Sequence, residues 1–338
     1  MAAPDSAADV PFTGLRALAG CGGCAAKAPP ETVALLAGLA AAAGVDDSAV
    51  LAGLAPPDDA AVYALDAGRA LVATVDFFPP LVDDPTDYGT IAAANAVSDI
   101  YAMGGTVTFA LAVSGFPAVV PTSVIAEVNR AAAAVIAACG GSVLGGHTVR
   151  CAEPVFGLCV LGFVRPGRVW RKGGALPGDV LLLSKPLGTG LLLSSRRPEA
   201  LAVAVRSMRT TNQAAAIALD ALREPPHAVT DVSGYGLLGH AQEMAQHSGL
   251  TLHINAADVP VLSGALAAAD SGVRTSAHRQ MPHATAAVTP ALLAVLQDPQ
   301  TSGGLLAAVS PASVPALEAA GFASIGRVTA GPARVVVD

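Results

Sequence analysis

Lysine is nearly missing from this chain. Only Lys27, Lys172 and Lys185 occur among 338 residues, and charged residues of both signs make up just 13%. A net charge of -7 argues against a nucleic-acid partner, because binding a phosphate backbone needs clustered cations. With three lysines, the common nucleotide-binding signatures are quickly excluded. None sits in a Gly-x4-Gly-Lys-Ser/Thr loop, and no protein-kinase signature set occurs. Residues 1–20 lack a basic start followed by an apolar run, so no secretory leader is read and the cytoplasm is the expected location. Five cysteines in so long a chain do not form a disulfide framework and are expected to be reduced thiols. Long hydrophobic runs are also lacking, despite a mean hydropathy of +0.55. The uncharged stretches 100–126 and 131–149 are cut by Gly104-Gly105, Pro117, Pro121, Gly140-Gly141 and Gly145-Gly146. The pieces are too short for the roughly 20 apolar residues of a spanning helix, so no membrane partner is expected. They fit α/β core segments buried on both faces.

The length suggests two α/β halves. Pro29-Pro30-Glu31 opens a helix that closes at Ala43-Gly44. Residues 62–65 and 71–75 predict strands around an Asp66-Ala-Gly turn, and 85–103 predict one helix ended by Gly104-Gly105. A strand over 107–113, a helix over 121–139, a junction across 165–179 and a strand over 180–184 follow. The expected divisions are a flexible Gly-rich segment over 1–50 with one helix, a domain over 51–168 and a second over 175–338.

What the sequence does hold is a concentration of aspartate. Asp58, Asp59, Asp66, Asp76, Asp83, Asp84, Asp87 and Asp99 face a single basic residue, Arg69, within the same stretch. Asp66 and Asp84 read as turn and cap residues. Asp58-Asp59 precede an apolar strand, Asp76 ends one, and Asn95 and Asp99 share a helix face four residues apart. Short hard-oxygen ligands of this kind suit Mg2+ bridged to phosphate oxygens. Glycine-rich backbone to hold a nucleotide is present at Gly145-Gly146-His147 and in the Asp231–Gly236 stretch. Cys24 and Lys27 form a second candidate site, since a lysine three residues away favours a thiolate. Cys21-x-x-Cys24 as a redox pair or half a zinc site is the rival reading. Cys139, Cys151 and Cys159 read as buried structural thiols. His240, Glu243 and His247 share a helix face and read as a polar face rather than a metal trio.

These residues fall into runs that resemble the selenophosphate synthetase (selenide, water dikinase) family. The runs are Asp58-Asp59-Ala-Ala-Val62, Thr74-Val-Asp76-Phe-Phe, Asn95-Ala-Val-Ser98-Asp99, Gly145-Gly146-His147-Thr148, Thr230-Asp231-Val-Ser-Gly234 and Asp298-Pro-Gln-Thr-Ser-Gly303-Gly304. The Asp-Asp-Ala-Ala-Val piece is shared with the wider aminoimidazole-ribonucleotide-synthetase-like superfamily, while Cys24-x-x-Lys27 and Asp76-Phe-Phe narrow the match. The resemblance implies a mixed α/β (α+β) fold of two such domains, the first pairing with a second copy through a β-barrel-like core. It implies that ATP, selenide and water give selenophosphate, AMP and phosphate, selenophosphate being the selenium donor for selenocysteine and selenouridine. By motif, Cys24 and Lys27 match catalytic positions and Asp59, Asp99 and Asp231 match Mg2+ ligands. Asp58, Asp76 and Asn95 match nucleotide- and metal-side positions. Gly146, His147 and Thr148 match a loop reaching the other subunit's nucleotide. Pro56-Pro57 depart from the hydroxyl or basic residue that often precedes the Asp pair. The alternative is another superfamily member, a Mg-ATP-dependent kinase or cyclo-ligase.

Overall fold

Two mixed sheets, one in each half of the chain, organise the computed structural model, which describes residues 12–20, 22–23, 30–44, 47–54, 56–275, 284–285 and 288–338. The first half runs α1 (Pro30–Ala43), β1 (Val50–Leu54), β2 (Pro57–Ala64), β3 (Ala70–Phe78), α2 (Pro85–Ala96), α3 (Ser98–Ala102), β4 (Thr106–Phe116), α4 (Thr122–Ala138), β5 (Ser142–Arg150) and β6 (Val155–Val164). Its sheet has the order β1-β2-β3-β6-β4-β5. Only β4 and β5 pair in parallel, and α4 supplies the crossover such a pair requires. Along β3 the side chains alternate. Val72 and Phe78 are buried beneath the helices, whereas Val75 and Phe77 on the other face are each 54% exposed. Tyr88 of α2 packs its ring edge-on to Phe156 and donates its hydroxyl to the Phe78 carbonyl at 2.6 Å.

The second half runs β7 (Val180–Leu183), α5 (Thr189–Ser195), α6 (Pro198–Arg209), α7 (Gln213–Asp220), β8 (Ala228–Asp231), α8 (Gly236–Ser248), β9 (Thr251–Ile254), α9 (Ala265–Asp270), β10 (Ala284–Thr285), α10 (Pro290–Leu296), β11 (Leu305–Val309), α11 (Val314–Ala319), β12 (Ala323–Thr329) and β13 (Arg334–Val337). The sheet order is β10-β13-β9-β12-β7-β11-β8. Leu181, Leu182, Leu183 and all of β11 are buried, the continuous apolar pattern of strands covered on both faces. The edge strand β8 ends on Asp231, and its Thr230 hydroxyl reaches Asp59 of the first half.

The segment between the halves is tied to both. Trp170 is buried and donates its backbone N–H to the Met103 carbonyl at 3.2 Å, Arg168 pairs with Asp220 at 2.7 Å, and Arg171 reaches the Leu51 carbonyl. The helix expected over 85–103 divides at Val97. Val97 is the turn residue there, and Ser98, the first residue of α3, accepts a hydrogen bond from Asn212 of the second half at 2.8 Å. Of the three cysteines expected to be buried, only Cys139 is. Cys151 and Cys159 are partly exposed, Cys159 because it lies opposite Val75 and Leu111 on the open side of the first sheet. Asp66 accepts the Gly68 and Arg69 N–H groups and Asp84 caps α2 through the Asp87 N–H, the turn and cap roles expected of them. Among the described residues no helix is long and apolar enough to cross a membrane.

Candidate active site

The aspartates read from the sequence come from β2, β3, α3 and β8, so the site is built by both halves. Asp59 on β2 has a side chain only 5% exposed. Its Oδ1 accepts from Thr230 of β8 at 3.0 Å and pairs with Lys172 Nζ at 3.0 Å. Its Oδ2 is buried with no hydrogen-bond partner among the described residues. Asp76, near the end of β3, accepts from Asn95 Nδ2 at 2.6 Å. The Asn95 carbonyl in turn accepts the Ser302 N–H at 2.9 Å, which fixes the amide between the halves. Ser302 holds a left-handed φ of +52° to make that contact, a strain of the kind found at functional loops. Asp99 on α3 accepts the Thr74 hydroxyl at 2.6 Å.

The electrostatics are those of crowded acids. Burial, then the charges of Asp76, Asp231 and Asp59, hold the Asp99 carboxyl well above the usual carboxylate range. Asp58 is pushed up to about 6 by burial and by Asp59. Lys172 answers part of this charge. Burial alone would lower its ammonium, but Asp59 and Glu243 outweigh burial and keep it charged. Burial likewise opposes ionisation of Glu243, yet His240 and Lys172 bring it down to about 2. His240 Nδ1 stands 3.3 Å from Glu243 Oε2, an ion-pair distance without hydrogen-bond alignment, while its Nε2 meets Ser233 Oγ at 3.2 Å. Lys185 is buried and donates to the Ser302 carbonyl at 2.8 Å and to the Thr210 carbonyl. Burial lowers it to about 7, against the pull of Asp231.

Among the described residues no three His, Cys, Asp or Glu side chains form a ready-made metal cluster. The donor set still suits a hard divalent cation. The orphaned Asp59 Oδ2 and the raised Asp99 carboxyl mark an excess of negative charge that such a cation would relieve.

The remaining candidates lie elsewhere. Gly146, His147 and Thr148 are exposed on the edge strand β5. Asp76, Leu158, Ala112 and Gly146 form one row across the sheet. Three strand spacings therefore separate Gly146 from Asp76, roughly 14 Å. A Cβ at Gly146 would fall 2.2 Å from the Ala112 carbonyl oxygen, so this close strand approach requires glycine. Cys21, Cys24 and Lys27 lie outside the described residues. Sequence reasoning missed Lys172 and Lys185 as members of the cleft. The available signal was that a chain with so few lysines places two of them at the junction and in the first strand that follows it.

Asp298 anchors the loop that carries Ser302. It accepts from Gly190 N–H and Gln300 Nε2, both at 2.9 Å, and burial pushes it up to about 7. In an unfolded chain the same group ionises near pH ~4. The folded state therefore holds an extra proton between these values. This contribution is full below about pH 4 and is lost as pH rises through about 7. Asp298→Asn is expected to flatten the fall in thermal midpoint between about pH 5 and 7.5. An unchanged slope would show that Asp298 ionises normally.

Family models described as AIR synthase related protein, N-terminal domain and C-terminal domain, match residues 57–164 and 177–338. Fold and cleft together define a two-domain protein of that class. The chain is similar to hydrogenase maturation protein HypE in complex with ATP, at TM-score 0.64 and 19% identity over 86% of this chain and 87% of that one. It is also similar to thiamine monophosphate kinase from Aquifex aeolicus, at TM-score 0.69 and 19% identity over 92% and 98%. Within the class, the selenide, water dikinase of Paraburkholderia xenovorans is 41% identical over 335 residues, 94% of each chain. The chain belongs to the selenide, water dikinase family.

Proposed function

We propose that this protein makes selenophosphate from ATP, selenide and water, releasing AMP and phosphate, in the cleft between its two halves. The observation that carries this reading is the convergence of Asp59, Asp76, Asn95, Asp99 and Asp231 from both halves, with one buried carboxylate oxygen unmatched. Asp59, Asp99 and Asp231 are the residues that would hold Mg2+. When bound, that ion neutralises triphosphate charge and stabilises charge in phosphoryl transfer. Asp58, beside Asp59, and Asp76, aligned by Asn95, shape the same wall. Thr74 and Thr230 orient Asp99 and Asp59 through their hydroxyls. Cys24 would guide selenide as a thiolate, and Lys27 would steer that anion towards the phosphoryl group. Cys24→Ala and Lys27→Ala are each expected to abolish selenide-dependent AMP formation. Full activity in both variants would remove the Cys24–Lys27 segment from the mechanism. A Mg-ATP-dependent kinase is the second reading, favoured by the likeness to thiamine monophosphate kinase. It yields ADP and a single transferred phosphate.

The open face of the first sheet supports a homodimer with a shared nucleotide site. Val75, Phe77 and Leu111 form an exposed apolar strip beside His147 of β5. Pairing through it would bring the Gly146–Thr148 strand to the partner's cleft. Sedimentation equilibrium is expected to give a dimer that Phe77→Glu dissociates. A monomeric wild-type chain at micromolar concentration would contradict the shared site.

A further inference from the structure

A second cavity, of about 650 Å3, opens where the N-terminal segment meets α5 and the 299–301 loop. Its charge is opposite to that of the acidic cleft. Arg16, Arg196 and Arg274 line it, with Asp83 as the one lining acid, already engaged by the Arg16 backbone N–H at 2.9 Å. Arg274 is fixed by donating to the Ala269 and Val273 carbonyls at 2.9 and 2.7 Å. The guanidinium groups of Arg16 and Arg196 have no hydrogen-bond or ion-pair partner among the described residues.

Two further observations point to a ligand. Arg196 ends α5 in a left-handed conformation, φ +56°, a position where glycine is the usual residue. An arginine there stands against its backbone preference, with its side chain exposed at the cavity. Thr275 lines the same cavity, is 9% exposed, and its buried hydroxyl has no partner among the described residues. Three cations and an unused hydroxyl on one wall are the donors an oxyanion site uses.

We propose that this cavity binds a phosphate group free of metal. Gly20 and Gly22 line it, so an occupant would sit at the root of the Cys24–Lys27 segment. Resting on the proposed reaction, the natural source is the phosphate or the AMP that turnover releases at that segment. The binding itself does not depend on that reading.

The test uses the full-length chain in EDTA at low salt, without ATP or selenide. Under these conditions the acidic cleft repels phosphate, whereas the arginine-lined cavity offers it counter-charge. Calorimetric titration with orthophosphate is expected to show saturable binding that weakens as sodium chloride is raised. Arg196→Gly removes the guanidinium and relieves the positive φ, so the fold is kept and the thermal midpoint stays at or above wild type. Its phosphate affinity is expected to fall at least about tenfold, the loss of one charge-assisted contact, with a similar fall for Arg16→Gln. AMP is the second arm, and tighter binding of AMP than of orthophosphate, with the same loss in Arg196→Gly, identifies the nucleotide product as the occupant. Absence of saturable binding by either probe, or affinity unchanged in both variants, overturns the proposal. Because no turnover is measured, failure here leaves the proposed reaction standing, and failure of that reaction leaves this site standing.

Discussion

Asp99→Asn is expected to make the protein more stable and nearly inactive. The carboxyl is held well above its usual range by burial and by the charges of Asp76, Asp231 and Asp59, so an amide in its place removes repulsion. The Thr74 hydroxyl, 2.6 Å away, donates as readily to an amide oxygen. A gain of roughly 1 kcal/mol is the scale for relieving a strained functional site. The proposed catalytic role is lost at the same time, because an amide is neutral and a weaker ligand for a hard cation. Activity is expected to fall at least about a hundredfold, the upper end of what losing even an outer-shell partner of a metal ligand costs. Thermal melts and AMP formation on the same preparation check both halves. A variant that is active, or less stable than wild type, would show that Asp99 is an ordinary structural acid.

Lys172→Met has the opposite signature. Lys172 Nζ lies 3.0 Å from Asp59 and 3.4 Å from Glu243, with its side chain only 8% exposed. Removing it leaves buried carboxylates without their cation, and breaking such a pair costs about 3–5 kcal/mol. The thermal midpoint in EDTA is expected to drop by roughly 4 to 7 degrees, at about 1.4 °C per kcal/mol for a chain this long. Added Mg2+ is expected to recover more of the midpoint in the variant than in wild type, because a divalent ion at Asp59 replaces the missing charge. Equal melting of variant and wild type would mean that Lys172 and Asp59 do not depend on one another. This pair also gives a physical reason why, among the described residues, no three acidic or imidazole groups form a ready-made metal cluster. Asp59 is drawn towards the inter-domain segment by an internal cation.

Much of this site is legible in the sequence because aspartates are concentrated between positions 58 and 99. Asp59, Asp76 and Asp99 stand out against apolar neighbours, and the four-residue spacing of Asn95 and Asp99 survives the break at Val97. Pro85 and Pro198 mark helix starts as their fixed φ dictates. Long-range pairing is not legible. Nothing near Lys172 or Lys185 announces that one meets Asp59, more than a hundred positions earlier, and the other the Ser302 carbonyl. The open sheet face is hidden for a different reason. Val72 and Val75 are chemically identical, and Phe77 and Phe78 are too, yet one of each is buried and the other exposed. Apolar residues on both faces carry no signal for which face the helices of the same chain cover.

Phosphorus NMR of the purified protein with ATP, Mg2+ and selenide tests the central claim most directly. The expected spectrum gains three resonances as ATP disappears, those of AMP, orthophosphate and a selenium-coupled phosphate, and the selenium-coupled signal is absent when selenide is withheld. ADP with one transferred phosphate, or no selenide dependence, would contradict the account.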